Sequence, residues 1–165
     1  MRLQILILLA ALMTLLSLPE SIASVQFAAQ GALDFNSSAY GFASSPSALL
    51  GAQLTMDISY PYQVGLAYEH NSLSYNDGSG DGSLKFYGLV GRIRTVSPFF
   101  FDGQIGLDVR DSNGTSFSWG AGSGYIFPLA ASVDIAPRLG YRYVPDGGSA
   151  RSLIDVGAML TLKFN

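Results

Sequence analysis

The chain has 165 residues, a formal net charge of −3 and no cysteine, which excludes a disulfide framework and makes nucleic acid an unexpected partner. Hydrophobic residues make up 48% of the sequence and charged residues only 13%, a balance too apolar for an ordinary secreted domain with a solvated surface. The 19 glycines, spread among serines and aromatic residues, leave little room for long helices.

The first 23 residues have the pattern of a secretory signal peptide. Arg2 precedes an apolar run from Ile5 to Leu18, and small residues end the segment at Ala23. An N-terminal transmembrane anchor is the alternative, but the run is shorter than the roughly 20 residues that a spanning helix needs. We therefore predict a cleavable signal peptide over residues 1–23 and one domain over residues 24–165.

Eight segments after residue 23 alternate between apolar and polar residues, the period of a β-strand with two different faces. They are Val25–Asn36, Ala48–Tyr60, Tyr62–His70, Leu84–Arg94, Phe99–Arg110, Thr115–Phe127, Ala131–Tyr143 and Ile154–Phe164. In the last segment every second residue is apolar, whereas Asp155 and Lys163 lie on the other face. The alternation predicts an all-β fold.

The connections between these segments also alternate in kind. Three are short turns, each with a proline at Pro61, Pro98 or Pro128. The other four are rich in Gly, Ser, Asn and Asp, most of them are longer, and they lie at residues 37–47, 71–82, 111–114 and 145–151. Short turns at one end and longer polar loops at the other are typical of outer-membrane barrels. Any extracellular partner is expected at these four loops.

The aromatic residues indicate that the apolar faces point outward to lipid. One group lies near the short turns and another toward the longer loops, as at two membrane interfaces. These expected interface residues are Tyr60, Tyr62, Phe99, Phe127, Phe164, Phe117, Trp119, Tyr141 and Tyr143. A small barrel interior could not hold eight complete apolar stripes. A soluble secreted β-sandwich or lipocalin-like binder, with these faces inward, is the alternative.

The signal peptide, the eight alternating segments and the closing "VGAMLTLKF" resemble the small eight-stranded outer-membrane barrels of the OmpA transmembrane-domain and OmpX type. The resemblance covers the whole chain after residue 23. It implies an antiparallel up-and-down transmembrane β-barrel in the cell outer membrane, surrounded by lipid and inserted by the barrel assembly machinery. Members typically end on an aromatic residue, whereas Phe164 is followed here by Asn165. The expected role is structural or surface-interactive, without an enzyme activity.

The polar faces predict a charged network inside the barrel, because charges held away from water are stable only when paired. Its expected members are Asp57, Glu69, Arg92, Arg94, Asp102, Asp108, Arg110, Asp134, Arg138, Arg142, Asp155 and Lys163. A lane of Gly and Ser from Ser116 to Gly124 leaves space for the long arginine side chains beside it. Such a network predicts a plugged interior, and a narrow porin-like channel is the alternative.

One constellation resembles a catalytic pattern. His70, the single histidine, and Ser72 share the outward face near the loop end, similar to a His-x-Ser pair found in some outer-membrane lipid A deacylases. In that hypothesis His70 would act as the general base for the Ser72 hydroxyl. Leu73 replaces the Asn of the family pattern, and Glu69 points to the opposite face. We expect no catalytic site, no metal site and no cofactor.

Overall fold

The computed structural model describes residues 24–36, 46–74, 81–110, 114–146 and 149–164. The predicted signal peptide, residues 1–23, lies outside these ranges. Within them the chain forms nine strands: β1 (Val25–Asn36), β2 (Ser47–Ser59), β3 (Tyr62–Ser74), β4 (Asp81–Arg94), β5 (Phe99–Arg110), β6 (Gly114–Tyr125), β7 (Phe127–Ala130), β8 (Val133–Asp146) and β9 (Ser149–Phe164). The described residues include no apolar helix of membrane-spanning length.

All strands are antiparallel to their neighbours, and the sheet closes on itself. Each strand from β1 to β5 pairs with the next one along the chain, β1 also pairs with β9, and β8 pairs with β9, β6 and β7. Closure leaves no unpaired sheet edge. A strand in lipid cannot tolerate such an edge, because its backbone groups find no water there to hydrogen-bond with. The predicted antiparallel eight-stranded up-and-down barrel is confirmed, since β6 and β7 together make its sixth strand.

The sixth strand is interrupted at Ile126, a break that the alternation did not predict. Both parts pair with β8: Gly124 lies opposite Arg138, and Phe127 lies opposite Ile135. Between these two pairs, Ala136 and Pro137 of β8 pair with β9 but with neither β6 nor β7. Pro137 has no backbone N–H to donate to a sheet ladder. The Ile126 N–H instead donates to the Pro98 carbonyl oxygen across a distance of 2.8 Å.

Strands also extend further toward the loop end than predicted. Residues 71–74 and 81–82 belong to the β3–β4 hairpin, and Ser47, Gly114, 145–146 and 149–151 are likewise in strands rather than loops. Backbone pairing continues after the apolar alternation has ended, because outside the membrane both faces of a hairpin can meet water. The remaining parts of the four predicted loops, 37–45, 75–80, 111–113 and 147–148, lie outside the described residues.

Side chains alternate strictly between the lumen and the outside. The inward positions are mostly buried, whereas most of the large apolar residues lie at outward positions, and many of them are more than one third exposed. A soluble lipocalin-like binder would need these apolar side chains inside. The strands therefore have the reverse polarity of a soluble barrel, as a lipid-facing surface requires.

Candidate functional site: the filled lumen and the outward surface

The middle of the lumen holds a central charge cluster of four side chains, Arg92, Asp102, Arg138 and Asp155, which come from β4, β5, β8 and β9. Arg138 donates to both Asp102 carboxylate oxygens, from Nη2 at 2.9 Å and from Nε at 3.1 Å. Its Nη1 donates to Asp155 Oδ1 at 2.6 Å. Arg92 Nη2 lies 3.7 Å from Asp102. Two cations thus neutralise two anions that are almost out of reach of solvent.

A second group, the outer charge cluster, lies nearer the loop end and contains Arg142, Glu69 and Asp108. The Arg142 guanidinium pairs with the Glu69 carboxylate from across the lumen and lies 3.4 Å from Asp108. All three side chains are buried. Beside them the buried Asp34 carboxylate accepts a hydrogen bond from Asn71. Strands β3 and β8 are not neighbours in the sheet, so Arg142 and Glu69 are in contact only because the barrel closes.

The other predicted network members lie closer to the barrel ends. At the short-turn end Lys163 Nζ is 2.7 Å from Asp134, and Asp57 accepts a hydrogen bond of 2.6 Å from Gln63. Arg94 is half-buried and lines a pocket at this end. Arg110, also half-buried, lies at the last residue of β5 near the loops.

The Gly/Ser lane of β6 accommodates side chains from β5 and β8. A Cβ atom on Gly122 would lie 2.5 Å from Arg138 Nη2 and 2.6 Å from Asp102 Oδ1, and one on Gly124 would lie 2.6 Å from the Phe100 ring. Any larger residue at Gly122 would have to displace the Arg138–Asp102 pair. The lane was predicted to leave space for the arginines of both neighbouring strands, and at Gly122 and Gly124 it accommodates Arg138 together with Asp102 and Phe100.

Two phenylalanines also point into the lumen, although the sequence did not predict them there. Phe86 and Phe100 are completely buried, and each lies under a guanidinium: Arg142 is 4.4 Å from the Phe86 ring centre and Arg92 is 4.7 Å from that of Phe100. Desolvated cation–π contacts of this kind add to the stability of a buried arginine. Strict alternation within "PFFFDG" does place the middle phenylalanine inward, so parity could have found Phe100.

Apolar side chains pack in the lumen above the outer charge cluster and below the central one. Leu84, Val144 and Leu153 pack together at the loop end. Phe100 and Met159 pack with two alanines and Ile126 at the short-turn end. The pocket lined by Arg92, Arg94 and Met159 measures about 10 Å³, the space that one water molecule needs. In the part of the lumen that the structure describes, the interior is packed with side chains.

The outward surface carries the predicted aromatic residues at both ends of an aliphatic band. Those near the short turns are exposed, from 48% for Phe127 to 72% for Tyr60. Toward the loops, Trp119 stacks on Tyr143 with ring centres 5.6 Å apart. The remaining predicted members also lie on the outward face: Tyr62, Phe99, Phe164, Phe117 and Tyr141. Such girdles match the two interfaces of a bilayer.

His70 and Ser72 lie on the outward face of β3, two residues apart, while Glu69 points into the lumen and pairs with Arg142. The acid needed to orient an imidazole base is therefore not supplied by Glu69. Among the described residues no group of three or more His, Cys, Asp or Glu side chains is arranged to hold a metal ion.

The fold is shared with solved structures of outer-membrane barrels. Neisserial surface protein A is 18% identical with a TM-score of 0.69, and the match covers 88% of this chain and 100% of that one. Ail, the attachment invasion locus protein of Yersinia pestis, is 11% identical with a TM-score of 0.61, covering 86% of this chain and 99% of that one. The outer membrane protein AlkL is 9% identical with a TM-score of 0.56, covering 90% and 94%.

No protein-family model and no curated protein sequence matches the chain. The shared fold, combined with the apolar outward surface of this chain, defines its class. It is a small eight-stranded β-barrel protein of the cell outer membrane.

Proposed function

We propose that this protein is a closed barrel of the OmpA transmembrane-domain and OmpX type, which anchors its four polar loops at the cell surface for contact with an extracellular partner. The observation that carries the proposal is the filled lumen. Arg138 joins Asp102 to Asp155 across the interior, and apolar side chains pack at both ends. A barrel whose interior is occupied in this way acts through its outer surface and loops.

Two structural neighbours support a surface role by their names, since one is a surface protein and the other an attachment protein. Ail was also crystallised with the heparin analogue sucrose octasulfate. A sulfated sugar needs a cluster of basic residues, which the loop sequences do not provide. Loop 37–47 is uncharged, 71–82 and 111–114 contain aspartate but no lysine or arginine, and 145–151 contains one aspartate and one arginine. We therefore infer a partner that is neutral or basic rather than a polyanion.

We also propose that the protein has no hydrolase activity. His70 and Ser72 share a face, but the adjacent carboxylate, Glu69, belongs to the outer charge cluster inside the lumen. A replacement His70→Ala is expected to leave the lipid A of the producing bacteria unchanged. Mass spectrometry of extracted lipid A tests this, and deacylated product that disappears in the variant would establish the enzyme instead.

Conductance in planar lipid bilayers tests the closed lumen. Protein whose gel mobility changes on boiling, and which is therefore folded, is expected to add no discrete current steps. The matched variant is the double replacement Arg92→Ser with Phe100→Ser, which enlarges the lumen at the short-turn end. Regular current steps from the unmodified protein would show a channel and contradict the proposal.

Attachment of bacteria that produce the protein tests the surface role. Replacing residues 37–45 by a Gly/Ser segment of equal length is expected to reduce attachment to epithelial cells several-fold. The control changes the opposite end of the barrel, with Val96→Gly and Ser97→Gly in a short turn, and is expected to leave attachment unchanged. The same replacement is made in each of the other three loops. If none of the four loop variants attaches less than the unmodified protein, the surface role is contradicted.

A further inference from the structure

The outward face of the β3–β4 hairpin changes chemistry in regular steps from the short-turn end to the loop end. Its cross-strand pairs come in the order Val64–Gly91, Leu66–Leu89, Tyr68–Tyr87, His70–Lys85 and Ser72–Ser83. The first two pairs are aliphatic or small, the third is aromatic, the fourth is basic, and the fifth carries two hydroxyls. This order matches the succession that a lipid presents, from acyl chain through the interface to the headgroup.

The basic pair distinguishes this hairpin from the rest of the barrel. Among the outward positions whose side chains the structure describes, Lys85 is the only lysine or arginine. The single histidine of the chain, His70, lies directly opposite it on the neighbouring strand. Side chains of directly opposite residues have Cβ atoms about 5 Å apart, so both can contact one small group.

The depth of the pair is fixed by the aromatic residues next to it. The rings of Tyr68 and Tyr87 are 5.2 Å apart. Through Leu107 the pair is in register with Phe117, a member of the aromatic girdle on the loop side of the band. A step of two residues along a strand is about 7 Å, so His70 and Lys85 lie up to that distance closer to the outer aqueous phase. Aromatic girdles mark the boundary between acyl chains and headgroups. Lipid phosphates are found just beyond this boundary.

We propose that Lys85 and His70 form a site for the phosphate of an anionic lipid in the outer leaflet, with the Ser72 and Ser83 hydroxyls on its loop side. The Lys85 ammonium supplies a positive charge with three donors, the imidazole of His70 supplies a ring N–H, and the hydroxyls donate to the remaining oxygens. The tyrosine pair below would contact the first carbons of the acyl chains. This site is independent of the proposed surface role of the loops.

Native mass spectrometry of the folded protein, titrated in detergent with diphosphoryl lipid A, tests the site. The double replacement Lys85→Gln with His70→Gln is expected to weaken lipid A binding about tenfold, the effect of losing a charge-assisted hydrogen bond. Lys163→Gln is the matched control, because it removes the same charge from the lumen at the opposite end. We expect the control to bind like the unmodified protein, and phosphatidylcholine to bind all three equally weakly.

Three results would overturn the proposal. The first is lipid A binding that is unchanged in the double variant. The second is an equal loss in Lys163→Gln, which would show that only the net charge matters. The third is displacement of lipid A by millimolar inorganic phosphate, which would indicate a site for the free anion rather than for a lipid. The gel mobility shift on boiling verifies in each case that the variant is folded.

Discussion

The inward and outward faces of the same strands are stabilised in opposite ways. Outward side chains such as Leu160 and Phe164 are exposed on the barrel surface, and we expect each to stabilise the barrel in a membrane through its own apolar surface. Inward side chains such as Arg138 depend on partners from other strands, namely Asp102 on β5 and Asp155 on β9. We therefore expect changes that keep the outward face apolar to have small effects, whereas the inward face is sensitive to the loss of a single partner.

The largest effect is expected inside. Arg138→Met should lower the free energy of unfolding by about 3–5 kcal/mol, because it leaves two carboxylates without their main cation in a buried site. Urea titration in lipid vesicles measures the change. Lys163→Gln, which breaks the partly exposed pair with Asp134, is the control and should cost no more than about 1 kcal/mol. Equal losses for the two variants would remove the distinction between the buried clusters and the ends of the lumen.

A charge on the outward face should cost somewhat less. Leu160→Lys places an ammonium near the middle of the lipid-facing band, where the expected destabilisation is about 2–4 kcal/mol. Val96→Lys adds the same charge to a short turn, at a side chain that is 97% exposed, and is expected to be neutral. The same urea titration compares them. An unchanged stability of Leu160→Lys would mean that this face does not meet lipid.

Two glycines on opposite faces allow a comparison with a single added methyl group. Gly122→Ala should cost about 1–3 kcal/mol, since its Cβ would contact the paired side chains Arg138 and Asp102. Gly91→Ala should be neutral or slightly stabilising, because nothing lies within 4 Å of its added Cβ and alanine is less flexible in a strand. Thermal unfolding followed by gel mobility would rank them, and the reverse order would show that the lumen is loosely packed.

The smallest effect is expected at the aromatic girdle. Tyr143→Leu keeps an apolar side chain but removes the ring stacked on Trp119, a loss of about 1 kcal/mol. Trp119 is the only tryptophan, so its emission reports directly on the altered contact. A destabilisation above about 3 kcal/mol would show that the girdle contributes more than one aromatic pair.

The strands, their two faces and the direction of the apolar surface could all be predicted from the alternation of residues along the chain. Alternation places Asp155 inside and Val156 outside without reference to any other strand, and the proline turns mark the short-turn end. Alternation is a local property of the chain, so it can be read from a single sequence. The break at Ile126 was not predicted, because it depends on Pro137 in the neighbouring strand β8. The extended ends of the β3–β4 hairpin were not predicted, because they depend on backbone pairing outside the membrane.

Which inward residues contact each other depends on the closed barrel and could not be predicted from the alternation. Arg142 lies on β8 and Glu69 on β3, two strands that are not adjacent in the sheet, and their contact exists only because the sheet closes. The positions of Phe86 and Phe100 beneath two guanidiniums likewise depend on how the strands tilt and stagger. A period of two fixes the face on which a side chain lies, but its height and its partner across the lumen depend on barrel closure.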